Sequence, residues 1–512
     1  MQNVATVSAT RNNIFLLLGV TQGMVEYESP IGPLPKQQCG VSMDSGFLAI
    51  VDADRIHDYV FSPHKLKLIR GASIIQREVT EKELPELLKN SSRGPNELIS
   101  AGGGTVTALF ADAADAEAYC RRAAELFQQR TSIASATWVV GPWRGTFGAT
   151  VEYTQRQLER KKAARRVRTH SSGTPYAAIC QDCGLYPAAE SYTDSDESIR
   201  VACAGCRQRR AHSEAGLYLK QIAGGRLKAN FSFEELAEQS KPANYLAFLY
   251  IDLDRLGRYL HQHSGGSSAR HKELSHNLDL TVRSAVFAAC EAISTPPSQD
   301  APFEILLMGG DDVILMLAAH CVFRFLGEFD RKFSVQASQL QLPEGLHYSA
   351  AVVWAHQQFP IAQFRAYAEE LLRSAKLRSG NSVDYAVITE ALIQPPSESL
   401  ARQPDSQPKR FSLLRTAKPY SIQEFVELQA TIKDWRVDQM PANKVKALYR
   451  IAYEPFEQSV LDYCFLLSRL KPSHRTKLGQ FFPGGQGIWS QGSVRTTRAA
   501  DLVELWDFVE VE

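Results

Sequence analysis

Long apolar runs are missing from this sequence. The longest near the N-terminus, "IFLLLGV" at residues 14–20, follows Arg11 and leads into "TQGM" without a small-residue cleavage site. It falls far short of the ~20 residues that span a bilayer, so it reads as a core element and no membrane partner is expected. Surplus charge is missing as well: 57 Lys and Arg against 56 Asp and Glu leave a net +1 over 512 residues. That balance argues against a chain that grips nucleic acid through its own overall field, and leaves local patches or a partner's RNA. A disulfide framework is also absent. Of nine cysteines, four are paired by spacing, while Cys39, Cys120, Cys290, Cys321 and Cys464 are scattered singly, a usage that suits a reducing cytoplasm.

What is present is a globular composition, 44% hydrophobic and 22% charged, in a chain long enough for about two to four domains. Stretches rich in Pro, Ser and Gly punctuate it: "ESPIGPLPKQQ" (28–38), "HSSGTP" (170–175), "TPPSQDAP" (295–302) and "PPSESLARQPDSQPKR" (395–410). The last reads as an inter-domain linker and the third as a surface loop within one domain.

Residues 244–390 carry the clearest pattern. "YLAFLYIDLD" (245–254) is a buried-type strand ending in acids. "LDLTVRSAVFAACEAI" carries the apolar stripe of a helix at Leu278, Val282, Ala285, Val286, Ala289 and Ile293. "ILLMGGDDVILML" (305–317) is a hairpin of two apolar strands around Gly309, Gly310, Asp311 and Asp312. A helix near 321–340, a strand "LHYSAAVVWA" (346–355), a helix "IAQFRAYAEELLRSAK" (361–376) and a strand "VDYAVI" (383–388) complete it. The order β-α-β-β-α-β, with an extra helix and strand, predicts an α+β, ferredoxin-like unit of the kind that forms the palm of polymerases and nucleotide cyclases.

A weaker copy lies upstream. "GFLAIVDAD" (46–54) again ends in acids, "ELISAGGGTVTALF" (97–110) is strand-turn-strand, "ADAADAEAYCRRAAELF" (111–127) is helical and "SIASATWVV" (132–140) is a strand. Its hairpin tip has Gly103-Gly104-Thr105 where the other has Gly310-Asp311-Asp312, so it reads as a degenerate partner palm. The expected architecture is therefore two palms, with domains at 1–150 (degenerate palm), 151–225 (basic helix and four-cysteine module), 226–394 (catalytic palm) and 411–512 (helical). In the last, "SIQEFVELQATI", "KVKALYRIAYEPFEQSVLDYCFLLSRL" and "AADLVELWDFVEVE" read as helices for docking or core packing.

Two adjacent acids between apolar strands are ordinary turn residues in many hairpins. In a ferredoxin-like sheet, however, the first strand lies beside the central hairpin, so Asp252 approaches Asp311 and Asp312. Converging carboxylates suit Mg²⁺ or Mn²⁺, and two such ions can activate a 3′-hydroxyl and neutralise a leaving pyrophosphate. Lys376 either adds a point charge for a triphosphate or complements a helix C-terminus.

"CQDC" (180–183) and "CAGC" (203–206) leave 19 residues between the pairs. Cys180, Cys183, Cys203 and Cys206 thus fit a structural Zn²⁺ better than a redox pair. "RQLERKKAARRVR" (156–168) holds seven basic residues and one acid, and "RQRR" (207–210) follows the second pair; these either touch RNA phosphates or form solvated faces. His57-Asp58 is not read as a phosphohydrolase site, because the first 150 residues show no further "H-x-x-x-H-D"-like run to hold its metals.

"YIDLDRLG", "LLMGGDDVILML", "YSAAVVW" and "YAEELLRSAK", in this order, resemble the catalytic palm of the large polymerase-cyclase subunit of type III CRISPR (Csm and Cmr) effector complexes, or a compact relative of it. "VDADRIHDYVFSPHKLKLIRGAS" (51–73) resembles that family's first palm. The resemblance implies a nucleotidyltransferase that joins ATP by 3′–5′ linkage and closes the product into cyclic oligoadenylate, a second messenger of antiviral defence. It implies Asp252, Asp311 and Asp312 at the metal site, and Ser349, Lys376 and the Gly309-Gly310 turn near the nucleotide. A second ATP is expected near Gly71, Ala72 and Ser73. Effector subunits with guide and target RNA are the implied partners, or self-association if the chain acts alone. Two departures stand out. The His-Asp nuclease domain that begins many members is not seen, so cleavage of single-stranded DNA is not expected. Asp254-Arg255-Leu256-Gly257 also replaces the usual Asp-Asn-Leu-Gly. The rival readings are a diguanylate-cyclase relative, which usually carries Glu at the position of Asp312, and an RNA- or partner-binding scaffold with a dormant palm.

Overall fold

The computed structural model describes residues 45–511, apart from 92–93, 165–175, 195–196, 215–217, 224–225, 295–299, 390–394, 405–410 and 485. These lie within one compact unit, Val41–Glu512. The apolar run 14–20, the segments 28–38 and 170–175, Cys39 and the end of the basic run at 165–168 fall outside the described residues, as do 295–299 and 405–410 of the two later loops.

Four upstream strands, β1 (Phe47–Ala53), β2 (Asn96–Gly102), β3 (Thr105–Phe110) and β4 (Ala136–Pro142), form an antiparallel sheet in the order β2-β3-β1-β4. Helices follow β1 and β3, so the connectivity is β-α-β-β-α-β. Alternation along β1 decides its packing, because successive side chains point to opposite faces. Leu48 and Ile50 meet Phe147 and Leu158 of helix Phe147–Ala164, whereas Ala49, Val51 and Ala53 face a second core.

A short antiparallel pair, β5 (Glu190–Thr193) and β6 (Ile199–Ala202), then frames the cysteine module. The larger sheet follows, built from β7 (Tyr245–Leu253), β8 (Phe303–Gly309), β9 (Asp312–Ala318), β10 (Tyr348–His356) and β11 (Ser382–Val387). Two further short strands are β12 (Ser412–Leu414) and β13 (Tyr420–Ser421); β13 joins this sheet, whose order is β13-β11-β10-β7-β9-β8, and β12 pairs with β14 (Val494–Thr496). β7 is central, with antiparallel neighbours on both sides, and its residues are almost all buried, as its unbroken apolar run requires.

The two faces of β7 serve different cores. Ala247, Leu249, Ile251 and Leu253 meet helices Ser268–Ile293 and Val322–Gln339 and the C-terminal helices, whose Phe425, Leu428, Ile432 and Trp435 complete that layer. Leu246, Phe248 and Tyr250 face helix Ile361–Ala375 and the upstream unit in a shared core. There Phe248 stacks on Phe364 at 5.9 Å and receives the edge of Phe61 at 6.0 Å. The C-terminal segments expected to be helical are so, as Ile422–Val437, Ala442–Tyr453, Phe456–Ser468 and Ala499–Leu505.

Gly71 reveals how the cysteine module docks. A Cβ on Gly71 would lie 1.9 Å from the backbone oxygen of Arg209, which belongs to helix Ala204–Ala211. The missing side chain is what lets that helix lie against helix Leu66–Glu78. Gly71→Ala is therefore expected to destabilise the protein by at least ~1–3 kcal/mol, the ordinary cost of overpacking. Thermal unfolding checks this, and an unchanged midpoint would contradict the close approach.

Candidate nucleotide and metal site

β7 and β9 are paired so that Asp252 sits directly opposite Asp312, and across the other edge Asp252 faces Ser349 of β10. Asp311 lies at the hairpin tip between the ladder partners Gly309 and Asp312, where Gly310 takes a positive φ of 66°. Strand register alone thus gathers the three predicted acids at one end of the sheet.

Their environment is short of positive charge. Burial pushes Asp252 up to about 7, against the opposing pull of Lys376, with Asp311 and Asp312 adding repulsion. Burial, then the charge of Asp312, pushes Asp311 up to about 6. Lys376, just past the end of helix Ile361–Ala375, places Nζ 2.5 Å from Asp252 Oδ2. Asp312 is held at Oδ1, where Tyr250 donates its hydroxyl at 2.8 Å, while His57 Nε2 approaches Oδ2 to 3.3 Å without a hydrogen bond. These hard oxygen donors are partly desolvated and mutually repelling, a charge that a divalent cation would relieve, while among the described residues only the four cysteines lie close enough to group around one ion.

Other expected residues are placed differently. Ser349 is fully buried and donates its hydroxyl to Asp254 Oδ1 at 2.8 Å, so its direct partner is a carboxylate beneath the site. Gly309 does not keep its face free for a nucleotide, because a Cβ there would lie 3.0 Å from the backbone nitrogen of Gly103. The two glycine tips pack on each other, and Gly310 alone is exposed. Gly71 and Ala72 are enclosed by packing. The Arg209 backbone covers the first, and the second is completely buried. Ser73 is also buried; it lines a small cavity of about 20 Å³ with Arg70 and Glu304.

The upstream sheet repeats the acidic strand end in altered form. Asp52 pairs in register with Thr105 and Thr137, and it accepts hydrogen bonds from the Thr105 hydroxyl and Lys162 Nζ. Asp54 accepts from Ser135 at 2.8 Å and Thr137 at 2.6 Å. Arg55 and Arg255, which follow these strand ends, both adopt left-handed φ, 51° and 52°. Hydroxyls and one ammonium thus stand where the downstream site has further acids.

The four cysteines converge. Cys180, Cys183, Cys203 and Cys206 are buried, with their sulfurs within 4.8 Å of one another and Cys183 and Cys203 at 3.9 Å. Four thiols at that separation fit one tetrahedral ion. The neighbouring basic residues are engaged at home. Arg209 is fully buried, Arg210 pairs with Asp182 at 2.5 Å, and Arg207 lies 3.3 Å from Glu190. On helix Phe147–Ala164, Lys162 holds Asp52, Lys161 donates to the Trp138 carbonyl at 2.8 Å, and Arg156 pairs with Glu152. Among the described residues, Lys161, Lys162, Arg209 and Arg210 of this basic signal thus have partners within the chain.

His57 and Tyr250 at Asp312 were not anticipated. Tyr250 carried a signal, since it lies two residues before Asp252 on the same strand face. His57 comes from the other sheet's unit and carried none.

Residues 245–383 match the family described as Cas10/Cmr2, second palm domain. No curated protein matches the chain by sequence. Solved structures similar in fold include the apo Csm1–Csm4 cassette (TM-score 0.59) and the same cassette in complex with cA4 (TM-score 0.58). Csm1 from T. onnurineus is another (TM-score 0.58). Each is 14% identical, and the match covers 92% of this chain and 70% of the other. Fold and acidic strand end together define a palm-domain protein of mixed α/β architecture. Residues 245–383 are similar to the Cas10/Cmr2 second palm domain, and the chain as a whole shares the fold of the Csm1 structures. Among the described residues, no helix is long and apolar enough to cross a membrane.

Proposed function

We propose that this chain is a nucleotidyltransferase that makes cyclic oligoadenylate from ATP within a type III CRISPR-like defence system. The observation that carries this reading is the register of Asp252 opposite Asp312, with Asp311 at the adjoining hairpin tip. Solved cassettes of the same fold in complex with ATP, pppApA and cA4 support it. In this reading residues 1–150 and 226–394 are two palms, 151–225 hold the basic helix and cysteine module, and 411–512 form the helical domain. Effector subunits and guide and target RNA are the proposed partners.

Asp252, Asp311 and Asp312 would hold Mg²⁺ or Mn²⁺. Ions bound there supply activation of a 3′-hydroxyl and neutralisation of the leaving pyrophosphate. The 3′-oxygen of one nucleotide attacks the α-phosphorus of the next; a 3′–5′ phosphodiester forms as the bond to pyrophosphate breaks, and attack on the chain's own 5′ end closes the ring. Lys376 is within reach to exchange Asp252 for a triphosphate oxygen, and Ser349 fixes Asp254 beside it. The packed tips at Gly103 and Gly309 join the two units across this site. Cys180, Cys183, Cys203 and Cys206 would hold a structural Zn²⁺.

Incubating the pure protein with each labelled NTP and Mg²⁺ or Mn²⁺ tests the reading, with Asp311→Ala/Asp312→Ala alongside. Cyclic adenylates from wild type alone are expected. Cyclic guanylates would move the chain to the diguanylate-cyclase class. Absence of product even from the native assembly with target RNA would leave a dormant palm.

A further inference from the structure

His57 and Asp58, not read as a phosphohydrolase site, both meet the second palm. Helix Ile56–Phe61 follows β1 and reaches the catalytic hairpin. His57 Nε2 is buried, makes no hydrogen bond of good geometry among the described residues, and lies 3.3 Å from Asp312 Oδ2. Nδ1 lies 3.9 Å from Glu369 Oε1. The ring stands edge-on to Tyr250 at 5.8 Å and Phe61 at 6.5 Å. Asp58 anchors the same helix by accepting from Arg365 at 2.8 Å, and Arg365 in turn lies 3.3 Å from Glu369.

We infer that His57 is a positioning residue for Asp312, supplied by the upstream palm to complete the catalytic centre. The inference rests on the nucleotidyltransferase reading. A carboxylate at a strand end swings about its side-chain bonds, and a ligand that needs one orientation must stop that motion at each binding event. Here Tyr250 fixes Oδ1 and His57 stands at Oδ2, so Asp312 is oriented before substrate arrives. A small rotation of the ring would turn the 3.3 Å approach of Nε2 into a hydrogen bond to Oδ2, and partners hydrogen-bonded to a metal-binding carboxylate are worth about 10–100-fold in metal affinity or activity. His57 thereby ties the active-site geometry to correct seating of the two palms, whose glycine tips touch nearby.

His57→Phe keeps the ring packing and removes the nitrogens, whereas His57→Gln returns an N–H of comparable reach. For His57→Phe, an unchanged unfolding temperature, a KM for ATP within about twofold and a kcat lower by about 10–100-fold are expected. His57→Gln should recover most of the loss. Mn²⁺ titration by electron paramagnetic resonance, with a non-hydrolysable ATP analogue present, should show about tenfold weaker binding to His57→Phe. Wild-type kcat and Mn²⁺ affinity in that variant would overturn the inference. If wild type binds Mn²⁺ but forms no product, the activity reading fails and the Mn²⁺ comparison still decides the role of His57. If wild type binds no Mn²⁺, both fall.

Discussion

Asp311→Asn should abolish metal-dependent product formation, by about a thousandfold or roughly 4 kcal/mol of barrier, and at the same time stabilise the metal-free protein. The two effects have one cause. Asp252 and Asp311 are carboxylates raised to about 7 and about 6 from 3.8, burial being the main reason in each. Raised folded values mean that the folded state keeps protons the unfolded chain releases. Their favourable contribution is fully present below about pH 4 and is lost as pH rises through 6 to 7. Above that window the metal-free site holds unneutralised charge, and an amide at 311 removes part of it. One pKa unit is worth about 1.4 kcal/mol, so a gain of about 1–3 kcal/mol at pH 8 is expected, with little gain at pH 4. Calorimetry of wild type and Asp311→Asn in EDTA at both pH values tests this. Equal stabilities at pH 8 would mean that the acids are already neutralised within the chain. Full activity of the variant would remove Asp311 from the site.

Strong one-dimensional signals made much of this arrangement legible. The apolar runs around Asp311 and Asp312 are long enough only for buried strands, and the acids at 252–254 close a run of the same kind. Once strand order was inferred, their convergence followed from register. The cysteine spacing acted likewise, because short gaps limit where thiols can go. Side chains that meet from distant segments were not legible. Nothing near His57 announces Asp312, and the contact exists only because two sheets share a core through Phe61 and Phe248. The neighbour of Gly71 was not legible for a general reason. A glycine admits any close neighbour, ligand or backbone, and sequence does not say which; here it is the Arg209 backbone. Ser349 lies in a stretch of β10 buried from Tyr348 to Ala355, and its hydroxyl turns toward Asp254, a partner the sequence does not announce.

Loss of a single thiol is the second large effect expected, and it should be felt at the active site. Cys203 caps helix Ala204–Ala211 by accepting from the backbone N–H of Cys206, and the same helix carries Arg209. That guanidinium is wholly buried, donates toward Cys206 Sγ at 3.6 Å and to the Tyr59 carbonyl, and lies 4.5 Å from the centre of the Tyr59 ring. Tyr59 is two residues beyond His57 on the short helix that reaches Asp312. Thiolates around a bound ion offset the buried charge of Arg209; without them it is left in the core with a carbonyl and a ring, at a cost of about 3–5 kcal/mol. Structural zinc itself contributes about 10–16 kcal/mol in small modules. With zinc held by the four thiols as proposed, Cys206→Ser is expected to lose that ion, lower the unfolding temperature by about 10 °C or more, and reduce turnover. Arg209→Met separates the links: the four thiols and their zinc should remain while the hold on Tyr59 is released. Elemental analysis should then read full zinc beside a several-fold lower kcat. Full zinc with wild-type kcat in Arg209→Met would remove that side chain as a link between the cysteines and the acids.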